Sequence, residues 1–109
     1  MGATKSDEFS VKENKVANIA KALGHPARVA ILTLLAKRSA CVCGDIVEEL
    51  PLSQSTVSQH LKELKEAGLI QGEIDGAKVC YCIDPKAWQA AQAVINEMFD
   101  SYKAGSNCC

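Results

Sequence analysis

The 109-residue chain contains no apolar run approaching the roughly 20 residues of a membrane span, which excludes a transmembrane helix. Its first ten residues are polar apart from Met1, Ala3 and Phe9, so a hydrophobic export signal is lacking and a cytoplasmic protein is expected. Charge of one sign is not in excess: 12 basic and 13 acidic residues leave a net charge of −1. That balance argues against a generic polyanion binder, yet basic groups gathered on one face still permit DNA binding. Histidine is scarce, with His25 and His60 the two examples, and no Cys is followed five residues later by Arg in a phosphate-type loop. A thiol-based enzyme is therefore not expected.

What the chain does have is a composition ordinary for a globular domain, 48% hydrophobic and 23% charged. Its length suits one small domain over residues 1–109, with a core at about 9–102 and a cysteine-bearing tail at 103–109. Six cysteines are a heavy load. They fall in tight pairs, Cys41/Cys43, Cys80/Cys82 and Cys108/Cys109, a spacing that suits shared coordination better than cross-linking distant loops. Without an export signal, reduced metal-capable thiols are expected rather than a disulfide framework.

Hydrophobic periodicity predicts a mainly α fold with a β-hairpin. Residues 6–23 carry Phe9, Val16, Ile19, Ala20 and Leu23 at helical spacing. Gly24-His25-Pro26 ends that helix and starts the next, Pro26 to Ala36, whose Ala27, Ala30, Ile31, Leu34 and Leu35 form one stripe widened by Val29 and Leu32. Asp45 can cap a short helix, Ile46 to Leu50, that Pro51 terminates. Ser53 then caps a longer helix running to Ala67, with Gly68 as its stop, so the pair reads as a helix-turn-helix. Two alternating segments follow, Leu69–Ile74 and Lys78–Ile83, and Asp75-Gly76 between them is a hairpin signal that makes the motif winged. Asp84-Pro85 opens a last helix carrying Trp88, Ala91, Ile95, Met98, Phe99 and Tyr102, a long apolar stripe for which a small domain has little interior. That stripe points to a homodimer contact, with core packing as the alternative.

On the helix after Ser53, Val57, Leu61 and Leu64 share an inward face. Ser55, Gln59 and Lys62 point the opposite way, flanked by Thr56 and Ser58. Short polar side chains in the first half of a helix suit entry into the major groove, where Ser, Thr and Gln bond base edges or phosphates. Ser53, Gln54, Ser55, Thr56, Ser58, Gln59 and Lys62 are thus the candidate DNA contacts. His60 sits beside the apolar stripe, either packed within the domain or on a phosphate, and Lys78 near the wing tip can reach the neighbouring backbone.

Leu23-Gly-His-Pro-Ala-Arg-Val-Ala-Ile-Leu32, Cys41-Val-Cys43, Leu52-Ser-Gln-Ser-Thr-Val-Ser-Gln-His-Leu61, Gly68-Leu-Ile70 and the Asp75-Gly76 wing closely resemble the ArsR/SmtB family over about residues 9–102. The resemblance implies a winged helix-turn-helix homodimer, built through its first and last helices, that represses transcription from a palindromic double-stranded operator. It also implies release from that operator by metal or metalloid ions, with no cofactor required for DNA binding and no membrane partner.

Cys41 and Cys43 supply two thiolates just ahead of a helix N-terminus, whose partial positive charge favours deprotonation while Asp45 opposes it. Thiolates select soft ions: trivalent arsenic or antimony, Cd(II), Pb(II), Zn(II) or Cu(I). Arsenite-responsive members of the family it resembles place a third Cys one turn after Cys-Val-Cys. Here Gly44 looks like an insertion and Val47 stands in that position, so the third ligand comes from elsewhere. Residues 1–40 contain no Cys for a cadmium-type site, and residues 85–103 contain no His for a zinc-type site. Some arsenite sensors of the family it resembles carry vicinal cysteines near the C-terminus, so for a trivalent arsenic or antimony inducer the resemblance points to Cys108 and Cys109 joining Cys41 and Cys43. Cys80 and Cys82 share one strand face and form a second site, assist the first, or pack under a neighbouring segment. The runner-up reading is a repressor switched by thiol oxidation or by Cd, Pb or Zn.

Overall fold

A computed structural model describes residues 8–38, 41–43, 50–73 and 80–103. Along them run helices α1 (Val11–Leu23) and α2 (Pro26–Arg38), strand β1 (Val42–Cys43), helix α3 (Gln54–Glu66), strands β2 (Ile70–Glu73) and β3 (Cys80–Ile83), and helix α4 (Pro85–Asp100). The fold class is as expected, mainly α with a small sheet.

Each helix boundary has a local cause. Ser10 Oγ accepts from the Glu13 amide at 3.0 Å while the Ser10 amide donates to Glu13 Oε1, a capping box that starts α1 at Val11 rather than at residue 6. Phe9 is left outside the helix and exposed. Ser53 caps α3 as expected, its Oγ accepting from the Thr56 amide at 3.3 Å. The far end of α3 closes with paired bonds, Gly68 N–H to Lys65 O at 2.9 Å and Leu69 N–H to Leu64 O at 3.1 Å. Gly68 has φ +84°, the left-handed conformation this stop requires. Asp84 Oδ1 accepts from the Lys86 and Ala87 amides, and Pro85 occupies the first turn of α4.

Packing follows the predicted inward face of α3: Val57, Leu61 and Leu64 are buried together with Ile31, Leu32 and Leu35 of α2. The α2 stripe is rotated from its expected position, since Leu32 is buried while Val29 and Ala30 are exposed. Val42, Leu69, Ile70 and Tyr81 complete the core from the sheet side. By contrast, α4 buries no residue fully within the chain.

The sheet corrects one expectation. A two-stranded hairpin was predicted, but the order is β1-β3-β2, with β3 central and antiparallel to both neighbours. The two-residue strand β1 pairs Val42 with Tyr81 and Cys43 with Cys80. On the other side Gly72 lies opposite Tyr81 with φ +127°, and a Cβ there would run into the Cys80 carbonyl oxygen. Only glycine lets β2 approach β3 this closely. The expected helix at 46–50 (apart from half-buried Leu50), its Asp45 cap and the Asp75-Gly76 turn lie outside the described residues.

Candidate nucleic-acid interface and thiol site

Helix α3 buries one side and presents the other. Ser53, Ser55, Thr56, Gln59 and Lys62 are exposed and Ser58 is half-buried, while the Gln54 backbone forms the first turn. Ser53 Oγ lies 3.2 Å from Ser55 Oγ and 2.9 Å from Thr56 Oγ1, so three hydroxyls cluster at the helix start. The first-turn backbone amides and the positive end of the helix dipole converge there, a natural place for a phosphate. Gln59 and Lys62 extend the same polar side further along the helix. Lys78 lies outside the described residues.

His60 faces the other way. It is 8% exposed, and its ring centroid lies 4.4 Å from that of His25. Arg28 holds it: Nε donates to Ala22 O at 2.7 Å, Nη2 donates to Lys21 O at 3.2 Å, and Nη1 reaches His60 Nδ1 at 3.3 Å. Arginine has no acceptor, so in this contact the guanidinium donates and Nδ1 accepts. Burial pushes the His60 pKa below its ordinary value, assisted by the His25 and Arg28 charges and opposed by Glu63. Of the two places considered for His60, the packed one is observed. Arg28 thereby ties the end of α1, the start of α2 and the middle of α3 into one joint. Sequence reading missed this role of Arg28; the signal available was its place one turn into the helix after Gly24-His25-Pro26.

Strand alternation builds the thiol site. In β1 and β3 the buried partners Val42 and Tyr81 point into the core, so the residues on either side project from the opposite face. Those residues are Cys41, Cys43, Cys80 and Cys82. Against the expectation of reduced thiols that do not cross-link distant segments, Cys41 pairs with Cys82 and Cys43 with Cys80 as cross-strand disulfides, with Cα–Cα separations of 4.3 and 4.0 Å. Cys41 and Cys43 are exposed, whereas Cys80 and Cys82 are half-buried. In this paired state the described residues hold no cluster of three or more His, Cys, Asp or Glu ready for a metal ion.

Beside the Cys41–Cys82 rung lies a groove of about 470 Å³ whose lining includes Leu35, Gln71, Ile83 and Trp88. Chemically, the arrangement supports thiol–disulfide exchange and, once reduced, chelation of a thiophilic ion. Cys108 and Cys109 lie outside the described residues. Cys80 and Cys82, which sequence reading left without an assignment, are brought against Cys41 and Cys43. The available signal was the identical Cys-x-Cys spacing of the two segments, which matches rung for rung on paired antiparallel strands.

The family model for the bacterial regulatory protein arsR family matches residues 25–71. The chain is 40% identical over 85 residues to an uncharacterized HTH-type transcriptional regulator of Methanocaldococcus jannaschii, spanning 76% of this chain and 94% of that protein. It is 32% identical over 82 residues to the arsenic resistance transcriptional regulator ArsR1 of Pseudomonas putida, spanning 74% and 63%. The crystal structure of an ArsR family transcriptional regulator superposes with a TM-score of 0.71 at 17% identity, covering 90% of this chain and all of that one, a likeness of fold.

Proposed function

Because the chain belongs to the arsR family of bacterial regulatory proteins, whose members are DNA-binding transcriptional regulators rather than enzymes, we propose that it is a homodimeric repressor released from its operator by thiol-bound trivalent arsenic or antimony. The observation that carries this reading is the position of Cys41 and Cys43. Cys43 lies on β1 and Cys41 directly precedes it, both exposed, and β1 is hydrogen-bonded to the wing strand β3. The wing is in turn tied to the reading helix by Lys65 Nζ, which donates to Gly72 O at 2.7 Å, and by the Gly68–Leu69 stop. A ligand that moves β1 therefore has a short mechanical route to α3.

In this reading Ser53, Gln54, Ser55, Thr56, Ser58, Gln59 and Lys62 meet the major groove and phosphates, and Lys78 serves the wing. His60 acts from inside, holding α3 against α2. Dimerisation accounts for apolar surface that the single chain leaves open: Phe9 and Val11 at α1, and Met98, Phe99 and Tyr102 at the end of α4, are all exposed. Groups this apolar gain by burial against a second copy. No single helix among the described residues is long and apolar enough to cross a membrane. Similarity to the arsenic resistance transcriptional regulator of Pseudomonas putida supports the metalloid as inducer.

Weakening operator affinity 100-fold requires a coupling of about 3 kcal/mol, within the usual allosteric range. The test is fluorescence anisotropy of the reduced protein on promoter DNA from its own gene, titrated with arsenite. Release that is lost in Cys41→Ser or Cys43→Ser supports the switch, and tight binding indifferent to arsenite defeats it.

The observed disulfides favour a second reading, in which a peroxide oxidises each thiol pair to a disulfide, the peroxide being reduced to water and an alcohol. Release by peroxide and not by arsenite selects that reading.

A further inference from the structure

Three thiolates bind one trivalent arsenic, and Cys41 and Cys43 supply two. The register of the sheet offers the others. Cys80 stands directly opposite Cys43, and Cys82 pairs with Cys41 one rung along the same face. Three of the four Cα atoms lie in two hydrogen-bonded strands and Cys41 directly precedes the first, with 4.3 and 4.0 Å across the pairs. A third sulfur is therefore already in place on the strand opposite Cys43. The exposure pattern is also suitable: Cys41 and Cys43 are open to an incoming ion, and half-buried Cys80 and Cys82 shelter the ion once bound.

We infer that Cys80 and Cys82 of the wing strand belong to the inducer site, so that the metalloid is held by Cys41, Cys43 and one of these two cysteines rather than by the tail. The inference deepens the proposed function and rests on it for the identity of the ion. Binding is a ligand exchange: As(OH)3 and three thiols give As(SR)3 and three waters, each thiol proton leaving with a hydroxide and no electron moving. It requires the thiols free, so the disulfides must first be reduced by a dithiol in the cell or by a phosphine in the test tube. Each phosphine takes up one oxygen from water and converts one disulfide to two thiols. The consequence is mechanical. An ion spanning β1 and β3 clamps the wing directly, and Gly72 and Lys65 carry that clamp to the reading helix.

The experiment uses the full chain, phosphine-reduced, with arsenite as probe and three readouts. Iodoacetamide labelling followed by mass spectrometry maps which thiols arsenite protects. Emission of Trp88, the single tryptophan, reports the groove it shares with Cys41 and Cys82. Operator anisotropy reports release. The expected result is protection of Cys41, Cys43 and Cys80 or Cys82, with arsenite quenching Trp88. The Cys80→Ser/Cys82→Ser double variant should bind arsenite about 100-fold more weakly, because one chelating sulfur is lost. The Cys108→Ser/Cys109→Ser double variant should bind as the wild type does.

Protection of Cys108 or Cys109 with Cys80 and Cys82 freely alkylated overturns the inference and leaves the repressor reading intact. Protection of the sheet thiols with no loss of operator binding keeps the site and overturns arsenite as inducer. No protection of any sheet thiol overturns both. Should the Cys80→Ser/Cys82→Ser variant not fold, the wild-type protection map decides alone.

Discussion

Helix α3 and the cysteine-bearing sheet β1–β3 lie next to each other in the fold and are specified in opposite ways. Everything that makes α3 is contained between Ser53 and Leu69: a hydroxyl cap, a buried stripe of Val57, Leu61 and Leu64, and a left-handed glycine stop. The thiol face is assembled from segments 37 and 41 residues apart, and its first strand is only two residues long. The difference teaches where regulation can enter. A reading surface built locally is robust, while a site built from distant segments changes its geometry whenever the chemistry joining those segments changes.

The comparison is sharpened most by reducing the cross-strand disulfides. Closing a 41-residue separation is worth about 4 kcal/mol, and the second rung, nested within it, adds little. The oxidised protein is expected to unfold at distinctly higher urea than the reduced one; coincident urea curves would show that the pairs do not bridge the sheet. Next comes Leu64→Ala on the local side. Leu64 is fully buried, and its truncation is expected to cost about 3 kcal/mol in both redox states. A cost confined to one state would mean that α3 is less independent of the sheet than its caps suggest.

Gly72→Ala strikes the junction between the two regions. The strained backbone and the collision with Cys80 should cost about 2 kcal/mol and loosen the wing, measured by urea unfolding and by amide exchange at β2. A fully stable Gly72→Ala protein would contradict the described approach of β2 to β3. The smallest effect concerns pH. His60 has a lowered pKa when folded, so the unfolded chain binds the extra proton more readily. Stability is therefore full above the ordinary histidine value of about 6.5 and falls as pH drops through it toward the lowered folded value. Urea midpoints measured from pH 7.5 to 5.5 should show this decline, and His60→Gln should flatten it. An equally steep decline in that variant would place the sensitivity elsewhere.

Much of the fold was legible without coordinates because its signals are local. Ser53 and Asp84 are caps, Gly68 is a stop, and Val57, Leu61 and Leu64 are spaced for one helix face. The start of α1 was misplaced because an apolar stripe does not reveal which polar residue will take the cap; the reciprocal bonds of Ser10 and Glu13 decide it. The rotation of the α2 stripe was equally hidden. A helix apolar on most of its circumference has no single preferred inward face, and the neighbours α3 and β3 choose one. Among the site residues, the polar side of α3 was readable from periodicity, while the joint of Arg28, His25 and His60 was not, since its partners are separated by 32 residues in the case of Arg28 and His60.

The sequence alone determined that a capped amphipathic helix would follow Pro51 with a polar outer side, that strand-like segments would succeed it, and that six thiols would stand in close pairs. These follow from spacing, capping and turn chemistry, which act over a few residues. Tertiary structure decided which pairs of thiols meet. The cross-strand register of β1 and β3 is set by burying Val42 and Tyr81 on the core side, and that burial leaves Cys41, Cys43, Cys80 and Cys82 together on the other face. Strand alternation converts the choice of what to bury into the choice of which sulfurs are neighbours.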